Sequence, residues 1–425
     1  MPCTLPRFAL VTALVIGAVC VQPIHAQGSY RVQPDDVIEA EWYEIPKAEA
    51  APIDGYLTKK ATTYNGLQVA KALEPALARL LESGKLTSVQ IKQLEKFADA
   101  LGKQPGGIGA SLEQLAGSQN ANLAAATDAT TQHLNTQLLS TLRALPDDDQ
   151  GHFWVQGLGN DGSLNQQGGS ASLKYGTQGL LMGADWALDS AWRLGVTGAK
   201  STSQFSTRDF AGDLDSWHLG GYAVRRDGPL ALRLGALYSS HAGQNKRSVT
   251  LLDYKEHLRG SYNAQSQSVF SELGYQLGIG ALNAEPFAGL GYQRYQRDNF
   301  KESGSVTALS VGSQTQQNLS NTLGLRLATV YRFDSQVSLT PHLSTSWKHL
   351  YGNVDSRVSQ AFRYKPELMD DFTLNGTSLD RNSLAVQAGL DLAWTPQHTL
   401  GLAYSAQSGN QSSNHGLMAQ WKMRF

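Results

Sequence analysis

From residue 151 to the end of the chain, apolar residues recur at every second position in one segment after another. Leu180, Met182, Ala184, Trp186 and Leu188 alternate with Gly179, Gly183, Asp185 and Ala187. The same period runs through 230–238, 273–279, 323–333, 337–347, 384–394 and 400–404. The last stretch repeats it: Leu417, Ala419, Trp421, Met423 and Phe425 share one parity, and Met418, Gln420, Lys422 and Arg424 the other. A period of two gives each strand one apolar and one polar face. The alternation predicts about 12 antiparallel strands, starting near residues 151, 172, 191, 213, 229, 263, 284, 316, 336, 380, 398 and 414. Short connections at 189–190, 226–228, 281–283, 334–335 and 395–397 alternate with long ones near 161–171, 204–212, 242–262, 299–315 and 351–379. Aromatics gather near strand ends, among them Trp186, Tyr238, Tyr292, Trp347, Trp394 and Phe425. A soluble sandwich explains alternation, but neither the asymmetry of the connections nor a chain that stops on an aromatic. A closed all-β transmembrane barrel explains all three, because lipid demands an apolar outer band with aromatic borders and no free edge.

Before residue 148 the period is helical. Residues 27–60 are polar, with Pro34, Pro46 and Pro52 and acids at Asp35, Asp36, Glu39, Glu41 and Glu44, and read as a loosely ordered segment. Leu67, Ala70, Leu73, Leu77 and Leu81 form one stripe of a helix that starts at Tyr64 and stops at Gly84. Ser88 reads as the N-cap of a second helix over 89–101. These make a short helical region over 61–110, whose apolar stripe needs a partner. Residues 111–145 read as one longer helix, with Ser111 and Gln114 as a capping box. Beyond Gly117 this helix is mostly Ala, Asn, Gln, Thr and Ser. A helix polar all round is solvated or unstable in water, but small polar side chains suit a polar barrel lumen. About 30 residues span about 45 Å, comparable to a bilayer with its headgroups. The expected organisation is therefore a lumen and linker helix over 111–147 and a barrel over 148–425.

Composition narrows the class. The net charge is -1 with 17% charged residues, which leaves no basic footprint for nucleic acid. Residues 1–26 read as a signal peptide, with Arg7, an apolar run over 8–21 and a small residue, Ala26, before the cleavage point. The Sec translocon is the partner such a leader implies. Val19 before Cys20 is bulkier than lipoprotein processing prefers. The two cysteines, Cys3 and Cys20, both lie in this leader, so the mature chain is read as free of disulfides and thiolate metal sites.

With these residues in view, residues 56–425 resemble the translocator domain of classical monomeric autotransporters, the pertactin-like type V secretion family. The resemblance rests on pieces in order: Leu112–Gly117 (LEQLAG), Phe153–Gly157 (FWVQG), Trp217–Tyr222 (WHLGGY), Glu285–Leu290 (EPFAGL), Leu400–Ser405 (LGLAYS) and the terminal Phe425. It implies a barrel of 12 strands with an α-helix in its lumen, seated in the outer membrane of a Gram-negative bacterium by the barrel assembly machinery. Trp421, Met423 and Phe425 would carry the assembly signal. Family members usually carry a passenger of several hundred residues; here about 27–110 is available, and no β-helix repeat appears in it.

No G-x-S-x-G, H-E-x-x-H or P-loop pattern occurs, and His342 and His349 beside Trp347 lack convergent partners for a metal. No enzyme activity and no cofactor are expected. Some members of the family cut themselves in the lumen helix by attack of an asparagine side chain, and Asn120 and Asn122 stand there. Asp185, Arg193, Arg233, Glu272, Arg326 and Asp391 fall on the lumen parity and are expected to bond the Gln, Asn and Thr side chains of the helix. The expected function is a monomeric outer-membrane translocator that exposes a short N-terminal segment for display or adhesion to a host-surface ligand. A porin-like channel and a surface-anchored hydrolase are the rivals.

Overall fold

The computed structural model describes residues 55–84, 86–279, 281–333, 337–364 and 369–425; the signal peptide read at 1–26 and most of the segment read at 27–60 lie outside the described residues. Twelve long strands follow one another in chain order. They are β1 (His152–Leu164), β2 (Leu173–Ala187), β3 (Trp192–Thr207), β4 (Phe210–Asp227), β5 (Leu230–Leu251), β6 (Tyr254–Tyr275), β7 (Leu282–Arg297), β8 (Gln314–Thr329), β9 (Ser338–Tyr351), β10 (Asn382–Ala393), β11 (His398–Gly409) and β12 (Ser412–Arg424). Each pairs antiparallel with the next. The ring closes through β12 on β1, where His152 stands opposite Arg424 and Leu164 opposite Ser412. Beyond the ladder, Gly151 and Phe425 exchange backbone hydrogen bonds of 3.0 and 2.9 Å. The strands read from the alternation are thus the twelve of a closed barrel.

One rim carries short turns, the other most of the longer connections. We call them the lower and upper rims. In the lower turn between β2 and β3, the N–H groups of Trp192 and Ala191 both donate to Asp189 and hold its carboxyl below the usual range. Two connections expected to be long loops are not. Residues 204–212 are strand on either side of a turn at 208–209, and 242–262 form a projecting hairpin with a turn at 252–253. The reason is a change of surroundings along each strand. Below the upper border of the band that faces outward, the outward residues are apolar, as Leu194 and Val196 are on β3 and Leu219 on β4, with Trp217 at that border. Near the upper rim the inward residues are apolar: Phe205 on β3, Phe210 and Leu214 on β4, Val249 and Leu251 on β5, Leu258 and Tyr262 on β6. The strands run on without interruption while their apolar face moves from outside to inside.

Those inward residues meet a cap. Helices α1 (Tyr64–Glu82), α2 (Ser88–Gly102) and α3 (Gly107–Ala116) precede α4 (Gln119–Arg143). The partner of the α1 stripe is α3 together with the upper loops: Val69, Leu73, Leu77, Ile108, Leu112 and Leu115 share one buried core with Phe205, Leu258, Leu309, Phe362 and Phe372. Four short strands, Phe300–Lys301, Leu309–Val311, Arg357–Phe362 and Phe372–Asn375, form a second sheet over the mouth. Asn65 of α1 pairs with the backbone of Asn375 in both directions, at 2.8 and 2.9 Å. Arg247 on β5 grips Glu302 with contacts of 2.6 and 3.1 Å and donates to Gln114 O at 3.1 Å, tying hairpin, loop and α3 together.

Two helix boundaries differ from the sequence reading. Thr87, not Ser88, caps α2, in a capping box with Gln90. Residues 111–145 are not one helix: Ser111 lies within α3, and the chain turns at Gly117, whose φ is 59°. A Cβ there would stand 2.9 Å from Leu309, so left-handed backbone and close packing both require glycine.

Candidate functional site

The lumen is the site, and α4 fills it. The helix enters at the upper rim, where Gln119 Nε2 donates to Ala171 O at 2.9 Å. It leaves at the lower rim, where Arg226 donates to Pro146 O at 2.7 Å and Lys422 to Ala144 O at 3.2 Å. Of its 25 residues 19 are buried although it has no apolar stripe. Its polar groups must therefore be satisfied by the wall, since a buried polar group without a partner costs about 1–3 kcal/mol.

The wall supplies amides and hydroxyls at matching heights. Thr130 bonds Thr177 at 3.1 Å, and Gln293 donates to Asp128 at 2.8 Å. Ser268 donates to Asn135 at 3.0 Å, and Gln387 to Ser140 at 3.0 Å. Thr141 donates to Gln156 at 2.9 Å and accepts from Gln420 at 2.8 Å. At the foot of the helix, Arg143 donates to both carboxylate oxygens of Glu272, with Nε to Oε1 at 2.9 Å, and its guanidinium lies 4.4 Å from the ring of Phe287. A cavity of about 160 Å³ remains beside α4, lined by Gln132, Asn135, Thr136 and Ser346 among others. At about 30 Å³ per water it holds a few molecules.

The six charged residues expected to bond the helix divide differently. Only Glu272 touches it, through Arg143. Arg233 is fully buried and bridges Glu272 at 3.1 Å and Glu285 at 2.6 Å. Asp185 and Arg193 pair with each other at 2.6 Å and clamp the linker: Arg193 donates to Asp148 O at 2.6 Å and Gln150 O at 2.9 Å. Asp185 also accepts from Tyr222, which accepts from Trp154, each at 2.8 Å. Asp391 stands 3.7 Å from His342 on the neighbouring strand, and Arg326 lies opposite Glu285 and Ser344 in register. Among the described residues none of these six charges is bonded to a Gln, Asn or Thr side chain of the helix. Neutral wall groups make most of those bonds, and Lys348 on β9 makes one, to Gln132 at 2.5 Å, while Asp185, Arg193, Arg233 and Glu272 are matched to other charges. Sequence reasoning missed Arg143, although it is the only Lys or Arg in α4 and stands three residues before Pro146.

Asn120 and Asn122 lie at the upper end. Asn120 donates to Gln360 at 3.1 Å and accepts from Asn245 at 2.9 Å. Asn122 donates to Gln119 and Ser170 at 2.9 and 2.7 Å and accepts from Thr377 N at 2.7 Å. Trp421, Met423 and Phe425 lie on the outer parity of β12, and Phe425 is 55% exposed.

Comparison with known proteins agrees with this geometry. The family described as the autotransporter beta-domain matches residues 153–405. Two curated proteins of Serratia marcescens, each called an extracellular serine protease, are 30% identical over 322 residues, covering 73% of this chain and 30% of theirs. The chain thus spans about a third of the length of those relatives. Among solved structures, the translocator domain of autotransporter NalP from Neisseria meningitidis superposes with a TM-score of 0.58 at 19% identity, covering 72% of this chain and 99% of that one.

Proposed function

The chain belongs to the autotransporter β-domain family and is an outer-membrane translocator of the type V secretion class, and from this premise we propose that its barrel exposes the residues before α4 at the cell surface as a folded cap. The observation that carries the reading is the continuity of α4: it runs from the lower turns through a matched polar wall and ends in a core shared with α1, α3 and the upper loops. Short turns face the periplasm in outer-membrane barrels, so the cap faces outward. In this reading 27–60 is the outermost segment, 61–110 the helical cap, 111–147 the linker and lumen helix, and 148–425 the barrel. Display, with adhesion to a host-surface ligand, is the use this arrangement supports. Lys96 on α2 is exposed; a cysteine there should react with an impermeant maleimide on intact cells. Reaction only after the outer membrane is broken contradicts the reading.

Assembly is read from the last strand. Phe425 closes the ladder against Gly151, and Trp421 and Met423 lie on the same outer parity. Deleting Phe425 should cut outer-membrane insertion by the barrel assembly machinery, seen as loss of the heat-modifiable band; an unchanged band contradicts it. The bonds of Asn120 and Asn122 support a contact role over cleavage, because each side-chain amide that would attack is already held.

The name of the Serratia relatives favours one second reading, a hydrolase displayed by the barrel. The cheap test is a peptidase and esterase screen on intact cells.

A further inference from the structure

The outer wall above the membrane is not evenly charged. On β5 and β6 the outward residues beyond the apolar band are Ser240, Ala242, Gln244, Lys246, Ser248 and Thr250, and Lys255, His257, Arg259, Ser261, Asn263, Gln265 and Gln267; there is no acid among them. Lys246 and Arg259 are direct cross-strand partners. Like charges placed opposite each other destabilise a sheet. Lys301 lies on the short strand beside β6, where Arg259 bridges Ser303, and Arg294 lies on β7 just above Tyr292. None of Lys246, Arg259, Arg294 and Lys301 has an ion pair among the described residues. The neighbouring hairpin differs: Lys200 meets Asp215 at 3.1 Å and stacks on Trp217. Glu256 and Glu302, the acids next to the patch in sequence, are buried and held by Thr307 and Arg247. Asp253 at the hairpin tip, Asp298 beyond β7 and Asp213, which stands opposite Gln244 on the outward face of β4, have no ion pair with the patch among the described residues.

The heights of these cations matter. Tyr238 and Tyr292 mark the upper border of the apolar band. At ~3.4 Å per residue and a ~40° tilt, Arg294 stands about 5 Å above that border and Lys246 roughly 20 Å above it. A ladder of unpaired cations rising from the lipid border matches an anion that rises in the same way. We propose that the outer face of β5, β6 and β7 binds the phosphates of an outer-leaflet glycolipid, lipopolysaccharide, with Arg294 at the level of its lipid phosphates and Lys246, Arg259 and Lys301 at those of its core sugars. Bound phosphate removes the repulsion between Lys246 and Arg259, and guanidinium groups suit phosphate geometry. The proposal rests on the outer-membrane seat of the barrel, and not on what the barrel displays.

The test uses the full chain purified in detergent and native mass spectrometry of the lipid it retains. The probes are rough lipopolysaccharide, the same glycolipid stripped of phosphate, and phosphatidylglycerol. The variant is Lys246→Gln with Arg259→Gln and Lys301→Gln. The control removes the same charge from the cap, by Lys92→Gln, Lys96→Gln and Lys103→Gln. The wild-type chain and the control should retain the phosphorylated glycolipid, and the variant at least tenfold less. The stripped glycolipid should be held no better by the wild-type chain than by the variant. Arg259→Gln alone should cost about threefold, and it decides the matter if the triple variant loses its heat-modifiable band. Equal retention by wild type and variant, an equal loss in the control, or phosphatidylglycerol held as well as the glycolipid would each overturn the proposal. A surface that fails here leaves the display reading untouched, because that is judged by labelling at Lys96.

Discussion

Strand β3 passes through two solvents, and its two halves obey opposite rules. In its lower half Leu194 and Val196 face out and Arg193 and Thr197 face in. In its upper half Gln204 faces out and Phe205 faces in, 1% exposed. Backbone pairing is the same throughout. What changes is what lies on each side: lipid outside and a polar helix inside below, water outside and a helical cap inside above. Burial follows the surroundings, and the pleat merely offers two faces to be assigned. The lower half behaves as a membrane wall and the upper half as one layer of a soluble domain.

The comparison can be broken at four places. Phe205→Ala should open the cap core and cost about 3–5 kcal/mol, read as increased protease sensitivity of the cap while the barrel keeps its heat-modifiable band. If the barrel band is lost with the cap, the two zones are one cooperative unit. Arg143→Ala leaves buried Glu272 and Glu285 to share Arg233, and breaking such a pair costs about 3–5 kcal/mol. It should loosen the foot of α4 and raise the single-channel conductance; unchanged conductance would show that the wall amides hold the plug alone. Val196→Arg places a charge near the midplane and should cost about 2–4 kcal/mol of insertion, measured by unfolding in urea from lipid vesicles. Gln204→Arg, eight residues further on the same outer parity, should change stability by less than about 0.5 kcal/mol. Equal penalties at 196 and 204 would place both in lipid and end the distinction.

Legibility followed the same line. The barrel could be read because lipid imposes one rule on every strand below the border, so Leu390, Leu402 and Trp421 announce their faces without knowledge of their neighbours. The hairpins at 204–212 and 242–262 were mistaken for loops because their apolar residues are inward and few. Phe205, Phe210 and Leu214, and then Val249, Leu251, Leu258 and Tyr262, keep strict alternation with the opposite parity, which is the signal that marks a strand leaving the membrane. The lumen partners were the least legible. Asp185 and Arg193 look like helix ligands in the sequence, yet they hold residues 148–150, and nothing local says so. Partner choice across the lumen depends on the height at which each residue sits, and that is set by strand tilt and stagger rather than by any short motif. Gly117 was visible as a break in composition, but its left-handed turn only makes sense once Leu309 from a distant loop is packed against it.

The central claim is that α4 occupies the lumen in one register, so the most direct measurement is a cross-link between helix and wall. Thr130 and Thr177 stand with their hydroxyls 3.1 Å apart, and the sequence has cysteine only at Cys3 and Cys20. Cells carrying Thr130→Cys with Thr177→Cys are oxidised, free thiols are alkylated, and the peptides are mapped by mass spectrometry. Ser163→Cys with Ser413→Cys, whose hydroxyls are also 3.1 Å apart within the wall, reports that oxidation has worked. A disulfide joining positions 130 and 177 in most of the folded barrel is the predicted result. Alkylated thiols at both positions, with the wall pair fully oxidised, would show that the helix is not where this account places it.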